Sequence, residues 1–394
     1  MLQSALHRQP WKGFYVLSEA LLTLFLRLPW WILSSLVSSY RPCPSRSLKR
    51  TLIVRSISHG LEVITNTLLF PNRNDFSKRL EGPGIKSLWV EPVPDHVHGQ
   101  LKTWASVTSA HPARIPGYWL DKPGVDVPIG QPIQPGEKVL YRIHGGAYIS
   151  MSATPLDPVS DLTKDLLRVC KPFRRAFAIE YRLSKADPGS PPVNPFPSAL
   201  FDVLAGYAYL TQTVGIPPED IVIAGDSAGG HAALGLVRYL IEHQHYSVPA
   251  PPGALLLFSP WSDFGTSHET PGSSMYTNQG KDIMPFSIVG GNTYSKHAFF
   301  GALDPDEALV NPYLSPASKH CSPSFKGYPR TFLSVGTADL FIDQVRTLRK
   351  RMEADLGDGL VYDECPDGVH VFVGLWFFEP EKTKTLNAIA EWVG

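Results

Sequence analysis

Charge is in short supply and evenly split: charged residues make up 18% of the 394, with Lys plus Arg and Asp plus Glu at 36 each. Without a basic excess or a basic stripe, the chain lacks the cations that proteins need to meet nucleic-acid phosphates. No nucleic-acid partner is expected. Cysteine is scarce as well. Cys43, Cys170, Cys321 and Cys365 lie far apart, with no C-x-x-C and no Cys/His spacing of a zinc site. That argues against metal ligation, while the even count leaves disulfides and the redox compartment open. No internal repeat is visible.

Apolar residues, in contrast, reach 43%, enough for a large core, and global disorder is not expected. Proline is abundant at 37 residues and gathers in connections such as D-P-G-S-P-P-V-N-P-F-P at 187–197. The composition describes an enzyme-sized folded body with long, stiff loops.

Residues 13–39, G-F-Y-V-L-S-E-A-L-L-T-L-F-L-R-L-P-W-W-I-L-S-S-L-V-S-S, stand apart. Their length suits a bilayer span, which takes ~20 apolar residues. Glu19 and Arg27 disagree with a plain span, since each mid-helix charge costs about 2.5–3.5 kcal/mol on insertion. Pro29 is expected to interrupt the helix just before Trp30 and Trp31, residues that favour the headgroup level. Arg8, Lys12, Arg41, Arg46, Lys49, Arg50 and Arg55 flank the stretch, and Glu19 is the lone acid of residues 1–60. A kinked helix lying in, or dipping into, the membrane interface fits these facts better than a straight span. A lid packed on the catalytic body and a cleaved signal peptide are the alternatives, and a lid can also be the membrane contact. The apolar stretch starts late and no A-x-A site follows, which disfavours the signal. Residues 1–60 are therefore read as a membrane-associated or lid segment, and 61–394 as the catalytic domain. The endoplasmic reticulum is one candidate membrane, with the side of the catalytic domain left open.

From about residue 85 short apolar runs alternate with amphipathic stretches. Strands are expected at 87–92, 116–120, 138–143, 175–181, 220–226, 253–259, 330–336 and 359–364. Helices are expected at 157–169, 197–214, 228–243, 342–356 and 380–392. Continuous apolar strands between helices predict an α/β fold, a mostly parallel sheet covered on both faces. Residues 260–329, rich in Gly, Ser and Pro, break the alternation as an insertion or cap above the carboxyl ends of the strands.

The sharpest chemical signal is I-A-G-D-S-A-G-G-H at 223–231, where Gly225-Asp226-Ser227-Ala228-Gly229 is a G-x-S-x-G between strand and helix. Such a turn holds a serine in a strained conformation and needs small neighbours. A phosphate-cradling loop would require a following lysine or a G-x-G-x-x-G, and neither is present. Serine needs a base, and the base an acid, in the chain order Ser, Asp, His. Asp339 and His370 each follow an expected strand. Asp343 is a rival acid one helical turn on, while His297 and His320 in the insertion read as surface groups. His231 and His243, on the helix after the serine, default to core or surface roles. H-G-G-A at 144–147 closes an earlier strand and can bring backbone N–H groups to an oxyanion beside that of Ala228. Ala147 serves as well as glycine there provided its φ is negative.

Together H-G-G-A, G-D-S-A-G-G, D-L-F-I-D and D-G-V-H resemble the hormone-sensitive-lipase-like branch of the α/β-hydrolases. E-Y-R-L (180–183), F-P-S-A-L-F-D (196–202), S-P-W-S-D (259–263) and N-P-Y-L-S-P (311–316) add to the resemblance, which covers roughly residues 85–394. It implies an α/β-hydrolase fold with Ser227, Asp339 and His370 as the triad. It implies Gly146, Ala147 and Ala228 as oxyanion donors, with Gly145 in the same oxyanion loop keeping it tight. His144, and Asp226 with it, are structural residues near the site by this resemblance. The family commonly has a third glycine where Ala147 stands, and its D-x-L-x-D spacing is altered at Asp339-Leu340-Phe341-Ile342-Asp343. The Trp-rich N-terminus is similar to that of membrane-associated fungal esterases of this branch.

The expected activity is hydrolysis of apolar carboxylic esters through an acyl-enzyme on Ser227, with no metal or organic cofactor. Its partners would be an apolar ester or lipid substrate and a membrane surface met by residues 13–39. An amidase or deacetylase, of acetylated sterols for example, would use the same triad. A non-catalytic receptor on this fold would lack a triad member, and none is missing.

Overall fold

The computed structural model describes residues 6–70, 75–187, 189–246 and 248–394. Among these residues an eight-stranded sheet runs in the order β1-β2-β4-β3-β5-β6-β7-β8. The strands are β1 Lys86–Val90, β2 Ile115–Asp121, β3 Lys138–Ile143, β4 Phe173–Ile179, β5 Ile221–Asp226, β6 Ala254–Phe258, β7 Arg330–Gly336 and β8 Leu360–Cys365. Only β1–β2 and β2–β4 pair antiparallel; β4 through β8 are parallel. Every expected strand is present within two residues of its expected ends.

The helices of eight residues or more are α1 Trp11–Leu22, α2 Leu28–Ser35, α3 Leu48–Thr67, α4 Gly99–Thr108, α5 Ser160–Val169, α6 Ser198–Ala208, α7 Ala228–Glu242, α8 Ile342–Leu356 and α9 Glu381–Val393. Alternation along each central strand sends neighbouring side chains to opposite layers. Val139, Tyr141 and Ile143 of β3 pack with Leu204 of α6 and Leu236 of α7. Leu140 faces the other way, toward Leu166 of α5 and Ile389 of α9. With both faces covered, the strands carry near-continuous apolar runs. The 260–329 insertion forms short helices at Ser274–Thr277, Phe286–Val289, Tyr294–Phe300 and Glu307–Val310.

Two N-terminal expectations need correction. The helical path does not break at Pro29. A π-turn over Thr23–Arg27, closed by the Leu28 N–H on the Thr23 carbonyl, joins α1 to α2. This wider turn takes up the proline ring and its missing N–H, so one helix runs from Trp11 to Ser35. The awkward charges also find partners: Arg27 meets Glu19 at 2.7 Å, and His59 of α3 lies 3.3 Å from the same carboxylate. Secondly, the boundary expected at 60/61 falls inside α3. Ser47 caps that helix by accepting the Arg50 N–H, and Val54, Ile57 and Leu61 pack it onto the body.

Candidate active site

Ser227 sits where β5 turns into α7, with φ 52° and ψ −120°. Hydrogen bonds hold this strained turn on both sides. The Ser227 N–H donates to the Phe258 carbonyl at 2.9 Å, and its own carbonyl accepts from Trp261 N at 3.0 Å and His231 N at 3.1 Å. The glycines around it are a packing requirement. A Cβ on Gly225 would collide with the Gly229 backbone, and one on Gly229 with the carbonyls of Ile143 and His144.

The second of those collisions brings the 144–148 loop against the elbow. Asp226 fixes the approach: its Oδ1 accepts from the Gly145 N–H at 3.1 Å and from the Arg142 guanidinium. The Gly145 N–H is thereby committed to a carboxylate. Gly145 does not belong with the oxyanion donors; it is the glycine that lets the loop close on Asp226. The N–H groups of Gly146, Ala147 and Ala228 have no acceptor among the described residues. Ala147 departs from expectation, because its φ is +52°, between Gly146 at +104° and Tyr148 at +61°. The loop reverses sharply here, with Ile149 and Ser150 both donating to the Gly146 carbonyl. A left-handed alanine costs roughly 1–2 kcal/mol, supplied by the surrounding contacts. His144 supports the same loop. Its Nδ1 donates to the Gly145 carbonyl at 2.7 Å and its ring stacks on Tyr181 at 4.2 Å, while burial lowers its pKa to about 4. It is neutral at physiological pH. The Tyr181 hydroxyl donates to the carbonyls of His144 and Gly145.

Asp339 lies in the turn after β7 and His370 in the loop after β8. His370 Nδ1 stands 3.2 Å from both Asp339 carboxylate oxygens. Asp339 Oδ1 also accepts from the Phe341 N–H at 2.8 Å. Asp343 is elsewhere occupied, in the first turn of α8, accepting from Ser274 N at 2.7 Å. His370 Nε2 is buried and has no hydrogen-bond partner among the described residues. Burial works against a charged His370, but Asp339, followed by Asp282 and Asp226, outweighs it and raises the pKa above the ordinary 6.5. His231 is buried against Tyr148, whose hydroxyl lies 2.7 Å from Nδ1, whereas His297 and His320 are exposed.

Ser227 and His370 open onto one cavity of about 420 Å³. Its walls are apolar side chains from four regions: Ile57, Leu61 and Ile64 of α3, Leu162 of α5, Met284 and Ile288 of the insertion, and Trp376 and Phe377 after the histidine loop. Gly146 and Ala147 line it too.

Sequence reasoning missed Asp282, in the insertion. Asp282, Asp339 and His370 each offer a ligand atom within 4.8 Å of the others. The carboxylates already accept backbone N–H groups: Asp282 from His370 at 2.8 Å, from Leu340 at 2.9 Å and from its neighbour Ile283 at 2.7 Å. That donor set suits the holding of an imidazole. The E-Y-R-L and F-P-S-A-L-F-D motifs also acquire roles. Glu180 accepts from Ser152 Oγ and Ala153 N, and Arg182 pairs with buried Asp202 at 2.8 Å.

The parallel sheet, the elbow and the cavity at the carboxyl ends of the strands define an α/β-hydrolase. A family model described as alpha/beta hydrolase fold matches residues 140–374, more than half of the chain, and the chain belongs to that family. Over 258 residues it is 28% identical to an esterase of Acinetobacter venetianus, covering 64% of this chain and 74% of the relative. It is 28% identical over 167 residues to steryl acetyl hydrolase 1 of Saccharomyces cerevisiae, 42% of this chain and 35% of that one. A solved esterase of the bacterial hormone-sensitive lipase family shares the fold at TM-score 0.58 and 21% identity, covering 89% of this chain and 98% of its own.

Proposed function

We propose that this chain is a serine carboxylic ester hydrolase with Ser227 as nucleophile, His370 as base and Asp339 as acid. The observation that carries the reading is the pairing of a strained Ser227 with a His370 whose Nδ1 is held by Asp339 and whose buried Nε2 is unpartnered, in one cavity. In the reaction, His370 takes the Ser227 proton as the serine oxygen attacks the ester carbonyl. The N–H groups of Gly146, Ala147 and Ala228 receive the oxyanion. His370 then returns the proton to the leaving alcohol, and water hydrolyses the acyl-enzyme by the same route. If Ser227→Ala retains hydrolysis of p-nitrophenyl acetate, or wild-type Ser227 escapes a fluorophosphonate label, the reading fails.

The apolar cavity favours a second, narrower reading, removal of a short acyl group from a bulky apolar alcohol such as a sterol. The similarity to a steryl acetyl hydrolase supports it. Rates on acetate esters of sterols against long-chain esters of short alcohols, and on matched amides, distinguish the two.

The N-terminal helix serves in this proposal as a membrane contact. Trp11, Phe14, Phe25, Leu26, Trp30 and Leu33 are between 61% and 66% exposed, far more apolar surface than a solvated helix carries. Vesicle flotation of the full chain against one lacking residues 1–35 tests it: equal flotation would refute membrane contact through this helix.

A further inference from the structure

Three loops meet behind the catalytic histidine, and one carboxylate joins them. Asp282 is fully buried, in the insertion rather than on a sheet-edge loop. Its Oδ2 accepts the N–H of Leu340, the residue after Asp339, and its Oδ1 accepts the N–H of His370 itself. The same insertion segment grips the Asp339 turn at two more places. Asn278 Nδ2 donates to the carbonyls of Thr337 at 3.0 Å and Asp339 at 2.9 Å, and Ser274 Oγ donates to the Leu340 carbonyl at 2.7 Å.

We propose that Asp282 is a positioning residue of the hydrolysis: a second carboxylate that clamps the acid and base loops together and faces the imidazole that takes the Ser227 proton. The proposal rests on the hydrolase reading above. Its physical content is twofold. A carboxylate accepting backbone N–H groups from both loops fixes the distance between Asp339 and His370, which side-chain rotamers alone would leave loose. A second buried negative charge beside the ring also favours the imidazolium formed during acylation over the neutral base.

The charged groups around Asp282 support this. Asp339 and His370 face it from the sheet-edge loops, Arg46 from the segment before α3, and Asp226 lies beyond His370. Burial, then the neighbouring Asp339, pushes the Asp282 pKa up from the carboxylate range, while a charged His370 and the N–H groups of His370 and Leu340 pull it back. Asp282 is therefore most fully ionised when His370 carries its proton, the state in which its charge matters.

The test compares full-length wild type with Asp282→Asn, which keeps one acceptor oxygen and loses the charge. Rates are referred to sites titrated by a fluorophosphonate. If wild type itself takes no label, the hydrolase reading has failed rather than the clamp. With labelling established, kcat is expected to fall by about 10- to 100-fold with KM changed less than about threefold. The acid limb of the kcat/KM profile is expected to move to lower pH, because His370 loses a charge that raises its pKa. Wild-type kcat per titrated site, or a lowered kcat with an unmoved acid limb, overturns the proposal; the latter would mark Asp282 as scaffold only. Should Asp282→Asn yield no folded protein, ¹³C NMR of wild-type His370 replaces it. Two inflections, from a carboxylate titrating against the ring, support the proposal, and a single inflection overturns it.

Discussion

The guanidinium of Arg46 donates to the carbonyl oxygen of Asp367, three residues before His370, from Nε at 3.2 Å and Nη2 at 2.6 Å. Its Nη1 reaches the carbonyl of Lys281, next to Asp282, at 2.5 Å. The carbonyl of Arg46 in turn accepts from Arg41, which also donates to the Ser35 carbonyl at the end of α2. A continuous set of hydrogen bonds thus runs from the exposed apolar helix to the loop that carries His370, the proposed base.

That chain predicts a role for Arg46 that its place in a basic flank does not suggest. Arg46→Ala leaves two partly buried carbonyls without a charged donor, costing about 1–3 kcal/mol of stability. It also frees the His370 loop, so kcat on p-nitrophenyl acetate should drop by roughly tenfold or more. Thermal unfolding and initial rates check both, and Lys49→Ala, on the same flank, should leave both nearly unchanged.

The pH dependence follows from His370. Its pKa is raised from the ordinary 6.5, and in the proposed mechanism the active form is the neutral base. As pH falls through that raised value the base is protonated, so kcat/KM should decline with an acid limb above 6.5. Asp339→Asn removes the charge that most favours the protonated ring and the acceptor that fixes its tautomer. Its kcat should fall by about 10⁴-fold, with the remaining acid limb at lower pH. An acid limb at or below 6.5 in the wild type would contradict the arrangement.

Most of this architecture was legible in the chain. Strands such as I-V-I-A-G-D are apolar on both faces because helices cover both, so a continuous run marks them. Ser227 and Asp339 each follow such a strand, and His370 follows the half-buried edge strand β8, which made their loops readable. Asp282 was not, because its partner His370 is 88 residues away and nothing periodic surrounds it in the insertion. Helix α3 was missed for a different reason. Its contacts, Val54, Ile57 and Leu61, are diluted by Lys49, Arg50, Arg55 and His59, so no stripe stands out. The sign of φ at Ala147 was hidden too, since alanine rarely adopts it and only the loop's contacts impose it.

Ala147 yields a prediction against the usual direction of mutational damage. Ala147→Gly keeps the N–H and relieves a left-handed alanine worth roughly 1–2 kcal/mol, partly offset by the greater entropy of an unfolded glycine, about 0.4–1 kcal/mol. Stability should hold or rise by up to about 1 kcal/mol in denaturant unfolding. Hydrolysis of p-nitrophenyl acetate should persist within about threefold, since the donor remains. A loss of 100-fold would show that the methyl group, rather than the backbone, carries the function of this position.

The cavity makes the last prediction, on selectivity. Leu61 of α3 lies in the wall of the same apolar cavity as Ser227, and α3 is fixed to the body by Val54 and by Arg50, which pairs with Glu381 at 3.0 Å. Leu61→Trp adds bulk to that wall without touching the elbow, the oxyanion loop or His370. A small ester such as p-nitrophenyl acetate needs little of the 420 Å³ and should react within about threefold of wild type. Esters with a long acyl chain or a bulky apolar alcohol should lose kcat/KM by at least about tenfold, since each excluded methylene forfeits about 0.8 kcal/mol of burial. An equal loss on both substrates would mean that Leu61 acts through folding. No loss on either would place the substrate in another part of the cavity, away from α3.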